Sequence, residues 1–155
     1  GYDPYYPEFF EGRKEFLCYM EYFESILENI SAYDGFDVYG HIDYVVRYGS
    51  NKNREYSYGR YKDILDEILK KLISMGKGIE LNTGGYHYGL GEPNPCTAVI
   101  RRYRELGGEI ITIGADAHTP DKIACAFDKA ASVLEACGFR YYTIFKDRKP
   151  EFISL

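Results

Sequence analysis

Asp116 and His118 stand one residue apart in "IITIGADAHTP", where a β-branched run ends in a glycine just before a Thr-Pro. If the chain stays extended, residues i and i+2 point to the same side, and a carboxylate beside an imidazole suits Zn²⁺, Mn²⁺ or Fe²⁺. The bland alternative is a turn capped by Asp116, with His118 bonded to backbone. His41 and Asp43 repeat the spacing in "FDVYGHIDYVVRYG". There His41 is a candidate ligand, and Asp43 is either a ligand or the carboxylate that orients a neighbouring side chain. Arg47 carries a guanidinium able to grip a phosphate through two parallel hydrogen bonds; the default for such a residue is a solvated or ion-paired arginine. Asn82 and Thr83 follow "GIEL", where Asn82 either meets a substrate or satisfies loop backbone. His87, the remaining histidine, lies in a tyrosine- and glycine-rich loop and reads as an exposed loop residue.

Other chemistries lack their parts. The loop glycines match neither GxxxxGK[ST] nor GxGxxG and read as turn formers. There is no Gly-x-Ser-x-Gly, and no cysteine neighbours a histidine at a strand end, which disfavours a nucleophilic hydrolase. No side chain presents itself as a general acid, so the catalytic group stays unassigned.

The elements that must position these residues alternate between helix and strand. Phe16, Leu17, Met20, Phe23, Ile26, Leu27 and Ile30 recur at helical spacing and predict a helix over 13–32. Tyr61, Ile64, Leu65, Ile68, Leu69 and Leu72 predict a second, stopped by Gly76. A third covers 96–106 and closes on Gly107-Gly108. Thr119-Pro120-Asp121 has the form of an N-cap, a first-position proline and a first-turn acid, opening a helix that runs to Cys137-Gly138. Between them "FDVYGHID", "GIELN", "EIITIG" and "FRYYTIF" read as four strands, the last followed by a polar tail. Strand-helix alternation with short links predicts an α/β fold of alternating β/α units around parallel strands. In such folds function gathers at the carboxyl ends of the strands, and three strands in a row here end in metal- or proton-capable residues.

Composition sets the outer bounds. The chain has 155 residues, 45% apolar and 28% charged, enough to bury a single core. A net charge of −5 with no basic run argues against nucleic acid or an acidic membrane as partner. No stretch approaches the length of a membrane span, and no signal peptide opens the sequence. Cys18, Cys96, Cys125 and Cys137 form no CxxC and read as reduced thiols of a cytoplasmic protein. The seventeen tyrosines, with no tryptophan, suit positions where a ring packs and a hydroxyl stays wet.

A family resemblance rests on several of these stretches together. "FDVYGHIDYVVRYG", "IELNTGG", "LGGEIITIGADAHTP" and "CGFRYYTIFKDRKPEF" resemble the C-terminal half of the histidinol-phosphatase branch of the PHP (polymerase and histidinol phosphatase) family. "YYPEFFEGRKEFLCYMEYFESILENI" resembles the segment that precedes that half. Residues 1–155 are thus similar to a single, partial PHP domain. The resemblance implies the C-terminal part of a distorted (β/α)7 barrel that holds up to three divalent metals (Zn, Mn or Fe). It also implies hydrolysis of L-histidinol phosphate to L-histidinol in histidine biosynthesis. His41 matches the metal-binding histidine of the family's third motif, and Asp116 and His118 match the D-x-H of the fourth. Arg47 falls in a motif whose arginine is a candidate phosphate contact. The family's first motif, an H-x-H near the N-terminus with further His and Glu ligands, has no counterpart here.

The expectation is therefore a metal-dependent phosphomonoesterase acting on a small phosphate ester. It works as a homo-oligomer or with a missing N-terminal half. Two alternatives stand beside it: a PHP phosphoesterase for another small phosphate ester, and a non-catalytic half-barrel that self-associates.

Overall fold

The computed structural model describes residues 3–155. In chain order the elements are α1 (Glu15–Ala32), β1 (Val38–Tyr39), α2 (Lys62–Ser74), β2 (Gly78–Asn82), α3 (Gly84–His87), α4 (Thr97–Glu105), β3 (Ile111–Gly114), α5 (Phe127–Ala136), β4 (Tyr141–Lys146) and β5 (Lys149–Ser154). Helix α1 buries Cys18, Tyr19, Phe23, Ile26 and Ile30 along one stripe, which packs on α2. Helix α2 buries Leu65, Ile68, Leu69 and Leu72, and it stops at Gly76. The positive φ of Gly76, 67°, lets the Lys77 N–H reach back to Leu72 O at 2.9 Å and satisfy a terminal carbonyl. The same backward bond closes α4, from Gly108 N–H to Tyr103 O, and α5, from Phe139 N–H to Leu134 O.

Strands β1, β2 and β3 form one parallel sheet in that order, with Val38 beside Gly78 and Ile79 beside Ile111. Ile79, Leu81 and Ile111 join the apolar cluster of the helices. Glu80 and Asn82, alternate along β2, turn to the other face. Because the strands are parallel, their carboxyl ends lie side by side.

Two expectations need correction. The fourth strand does not extend the parallel sheet: β4 pairs antiparallel with β5, Tyr141 opposite Ser154 and Lys146 opposite Lys149. The stretch read as a polar tail is thus a strand. Asp147 and Arg148 both adopt positive φ, 51° and 61°, the two-residue connection whose twist suits a hairpin. The hairpin meets the sheet through a side chain, the Ile111 N–H donating to the buried Thr143 Oγ1 at 3.2 Å. The second correction concerns the helix expected from Thr119. Pro120–Lys122 make a single 3-10 turn without a side-chain cap, and α5 begins only at Phe127. Between them the Thr83 hydroxyl donates to Cys125 O at 2.6 Å, and Ala124 and Ala126 take left-handed backbone. That tertiary bond holds the segment off a helical path. Among the described residues no helix is long and apolar enough to cross a membrane.

Candidate active site

The residues singled out at the strand ends converge. His41 follows β1 by two residues, Asn82 closes β2, and Asp116 follows β3 by two. His41 and Asp116 both leave their strands through positive φ, 30° and 52°, a backbone that His and Asp adopt more readily than branched residues. Asp116 is therefore not extended, as the spacing argument assumed. It still meets its neighbour: Asp116 Oδ1 lies 3.5 Å from His118 Nε2. Both residues, with His41, line a cavity of about 740 Å³.

His41 is held by its backbone, whose N–H donates to Glu80 Oε2 at 3.2 Å, and its ring lies 5.0 Å from that of Tyr44. Its Nδ1 is buried and has no hydrogen-bond partner among the described residues. A buried polar atom without a partner is costly, and an imidazole nitrogen in that position is suited to a metal ion. Glu80 owes its place to two glycines, Gly114 at the end of β3 and Gly40 just past β1. A Cβ on Gly114 would stand 2.0 Å from Glu80 Oε1, and one on Gly40 would stand 3.2 Å from Oε2.

Arg47 lies beneath the cavity instead of on its wall. Its side chain has no exposed surface. Nε donates to Asn94 Oδ1 at 2.7 Å, Nη2 to Asn82 Oδ1 at 3.1 Å, and Nη1 to Asp116 Oδ2 at 2.5 Å. The guanidinium also lies over the rings of Tyr44 and Tyr88, at 5.3 and 4.7 Å. Burial pulls the Asp116 pKa up, but the hydrogen bond and charge of Arg47, aided by His41 and His118, hold it below the ordinary carboxylate value. Asp116 is thus an anion with one oxygen fixed by Arg47 and the other near His118, which is 81% exposed.

Of the two roles open to Asp43, the geometry matches the orienting one. It is buried; Oδ1 accepts from Asn94 Nδ2 at 2.5 Å and Oδ2 from the Cys96 N–H at 2.8 Å. Burial pushes its pKa up to about 6 against the opposing hydrogen bonds from Asn94 and Cys96. Asp43, Asn94, Arg47 and Asp116 form one chain of polar contacts. Asn82 satisfies backbone and neighbours, its Oδ1 accepting from the Gly84 N–H as well as Arg47, and its Nδ2 donating to Glu80. His87 is exposed and, with Lys122, lines a side groove of about 170 Å³ that shares Asp116 and His118.

Sequence reasoning missed Asn94, Glu80 and Lys122. Asn94 arrives because its backbone pairs both ways with Asn82, at 2.8 and 2.9 Å, folding the glycine-rich loop back onto the end of β2. Gly85 permits that return, since a Cβ there would stand 2.3 Å from Glu92 O. Nothing local announces Asn94. Glu80 did carry a signal, a carboxylate in the middle of a strand otherwise buried.

The donors fit a divalent cation in kind: two imidazoles and a carboxylate line one cavity, and His41 Nδ1 has no hydrogen-bond partner among the described residues. They fall short in number. Among the described residues no group of three or more His, Cys, Asp or Glu side chains is placed to hold a metal ion.

Comparison with known proteins places the fold in a family. The family described as PHP domain matches residues 1–84, more than half of the sequence, and the chain belongs to that family. A protein of Clostridium acetobutylicum described as a probable histidinol-phosphatase is 31% identical over 143 residues, covering 90% of this chain and 54% of the relative. A similarly described protein of Thermotoga maritima is 29% identical over 81% of this chain and 50% of its own length. The histidinol phosphate phosphatase of Lactococcus lactis, solved in complex with zinc, L-histidinol and phosphate, superposes with a TM-score of 0.83 at 27% identity. The overlap spans 93% of this chain and 54% of that one. The chain therefore spans about half the length of the curated relatives it matches, and its three-stranded parallel sheet with alternating helices is about half of that fold.

Proposed function

We propose that this chain supplies the C-terminal half of a metal-dependent phosphomonoesterase acting on L-histidinol phosphate. The observation that carries the reading is that His41, whose buried Nδ1 has no hydrogen-bond partner among the described residues, lines the same cavity as Asp116 and His118. These three residues would hold divalent cations (zinc, manganese or iron, up to three in the complete site). When bound, such ions polarise a phosphoryl oxygen and lower the pKa of a coordinated water. The chain's own groups prepare the place. Arg47 keeps Asp116 ionised and fixes one of its oxygens, leaving the other toward His118. Enclosed and paired with Asp116, Arg47 would act on a bound phosphate as a nearby charge without touching it, the role that remains for it as the expected phosphate-binding arginine. Asn82, Asn94 and Asp43 hold Arg47 in turn. Four free cysteines suit a cytoplasmic enzyme of histidine biosynthesis.

One observation favours assembly with a complementary half or a second copy. The outer edge of β1 has no strand partner among the described residues, and an open edge invites pairing. The missing ligands would come from that partner.

The test is phosphate release from L-histidinol phosphate with Mn²⁺ or Zn²⁺ supplied, and Asp116→Asn as control. Turnover by the wild type, lost in the variant together with bound metal, supports the reading. Metal content unchanged in Asp116→Asn removes Asp116 as a ligand and overturns it.

A further inference from the structure

The stretch between Thr119 and α5 carries the local signals of a helix that the structure does not form. Thr119 already has the extended backbone of an N-cap, φ −139° and ψ 153°, and Pro120–Lys122 make one 3-10 turn behind it. The proline stands at the first helical position, where it is tolerated. Ala124 and Ala126 are of the residue type with the highest helix propensity. The apolar spacing runs on as well. Phe127, Ala126 and Ile123 stand three, four and seven residues before Ala130, in line with the stripe that Ala130 and Leu134 bury in α5.

The observed backbone gives up that continuity. Ala124 and Ala126 take φ of 54° and 57°, a region in which an L side chain crowds the following carbonyl. Ile123, which a helix would bring onto the buried stripe, is 69% exposed. What holds the loop is a latch: the hydroxyl of the buried Thr83, next to the end of β2, donates to Cys125 O at 2.6 Å. Among the described residues it is the one hydrogen bond that ties 120–126 to a distant part of the chain. The loop form has a consequence for the site, because it sets Lys122 on the groove shared with Asp116 and His118. Among the described residues that line this groove and the main cavity, Lys122 is the one lysine or arginine. Its ion-pair partner is the neighbouring, exposed Asp121 at 3.4 Å, a contact that water and salt weaken.

One segment thus has two arrangements, one favoured by local sequence and the other by a tertiary bond, and such a conflict marks a bistable element. We infer that residues 119–126 switch between the latched loop and a continuation of α5, and that an anion in the groove selects the latched form through Lys122. Resting on the phosphatase reading above, that anion is the phosphate group of substrate or product. The latched loop holds it, and its departure frees the segment to wind into α5, which takes Lys122 off the groove.

The test is nuclear magnetic resonance of the full chain without metal, with relaxation dispersion on the amides of residues 119–127. The wild type is expected to show microsecond-to-millisecond exchange confined to this segment, toward a minor state with helical Cα shifts. Thr83→Val keeps the side-chain shape without the latch and should raise the helical population about fivefold, the weight of one hydrogen bond. Ala124→Gly suits the left-handed backbone and weakens a helix, so it should suppress the exchange, whether or not Thr83→Val folds. Inorganic phosphate should lower the helical population in the wild type and leave it unchanged in Lys122→Met. A wild type without exchange here, exchange that persists in Ala124→Gly, or a helical population indifferent to phosphate overturns the inference. The phosphatase reading fails separately: a phosphate-sensitive switch in a chain that never hydrolyses L-histidinol phosphate, even with metal and its complementary half, leaves an anion-responsive loop without the reaction.

Discussion

Arg47 Nη1 and Asp116 Oδ2, 69 residues apart in sequence, meet at 2.5 Å with the arginine side chain wholly enclosed. The contact ties the end of β3 to the turn after β1 and gives Asp116 a fixed, ionised form before any ligand arrives. Removing one partner of a fully buried, hydrogen-bonded ion pair costs about 3–5 kcal/mol, because the other charge is left uncompensated. Asp116, with 24% of its side chain exposed, keeps some hydration, so the loss falls at the low end of that range or below it. Arg47→Ala is therefore expected to lower the urea midpoint strongly and to weaken metal binding at Asp116. Arg47→Lys should recover part of the stability, but it cannot serve Asn94, Asn82 and Asp116 at once. If Arg47→Ala leaves metal affinity untouched and only raises KM for a phosphate ester, Arg47 meets the substrate directly and does not position Asp116.

The parts of the fold that were legible in the sequence are those with local causes. Gly76 ends α2 because the chain needs a left-handed residue there, and the neighbouring apolar spacing says which face is buried. Placing His41, Asn82 and Asp116 at one end of the sheet required only that consecutive strands be parallel. The hairpin was harder to see, since Asp147-Arg148 makes a positive-φ turn without the glycine that usually marks one. The interrupted helix after Thr119 depends on a hydroxyl 42 residues away. The deepest layer of the site was the least visible: Asn94 reaches Arg47 only through backbone pairing with Asn82, and neither residue carries a local mark of it.

The left-handed backbone of Ala126, φ 57°, precedes the first residue of α5 with no side-chain cap to compensate. A Cβ in that region costs roughly 1 kcal/mol, and glycine is acceptable at the start of a helix. Ala126→Gly is expected to raise stability by up to about 0.5 kcal/mol, read as a slightly higher melting temperature, after allowance for the extra freedom of glycine in the unfolded chain. A lower melting temperature would show that the Ala126 methyl packs usefully.

Asp66 is the residue whose titration should shape acid stability. Arg102 grips it with two bonds, Nε to Oδ1 at 3.0 Å and Nη2 to Oδ2 at 2.7 Å, and Tyr58 Oη donates at 2.7 Å. The hydrogen bonds from Arg102 lead in lowering its pKa from 3.8 to about 2, against the opposing effect of burial. A folded-state value below the unfolded one means the unfolded chain binds more protons in that interval, so stability rises with pH there. The contribution is complete above pH 3.8 and is lost as pH falls toward 2. Its size is on the order of 2 kcal/mol. Urea unfolding of Asp66→Asn should therefore fall below the wild type by about that much at pH 6, with the gap narrowing toward pH 3. A gap independent of pH would assign the loss to packing or neutral hydrogen bonds.

Gly114 gives a way to disturb His41 from the far side of the sheet without touching any ligand. A Cβ there would stand 2.0 Å from Glu80 Oε1 and 2.9 Å from the carboxyl carbon, so Gly114→Ala must move the Glu80 side chain. Glu80 Oε2 accepts both the His41 N–H and Asn82 Nδ2, and the displaced carboxylate gives up one or both. His41 already stands in a left-handed conformation that needs outside support. Gly114→Ala is expected to weaken metal binding about 10-fold or more, as losses in the shell behind a ligand commonly do. Glu80→Gln separates charge from contact: its amide oxygen can still accept the His41 N–H, so a milder loss than in Gly114→Ala identifies backbone support as what Glu80 provides. An equal loss in the two variants would mean that the carboxylate charge acts on the bound ion directly, and metal titrations across both variants decide between them.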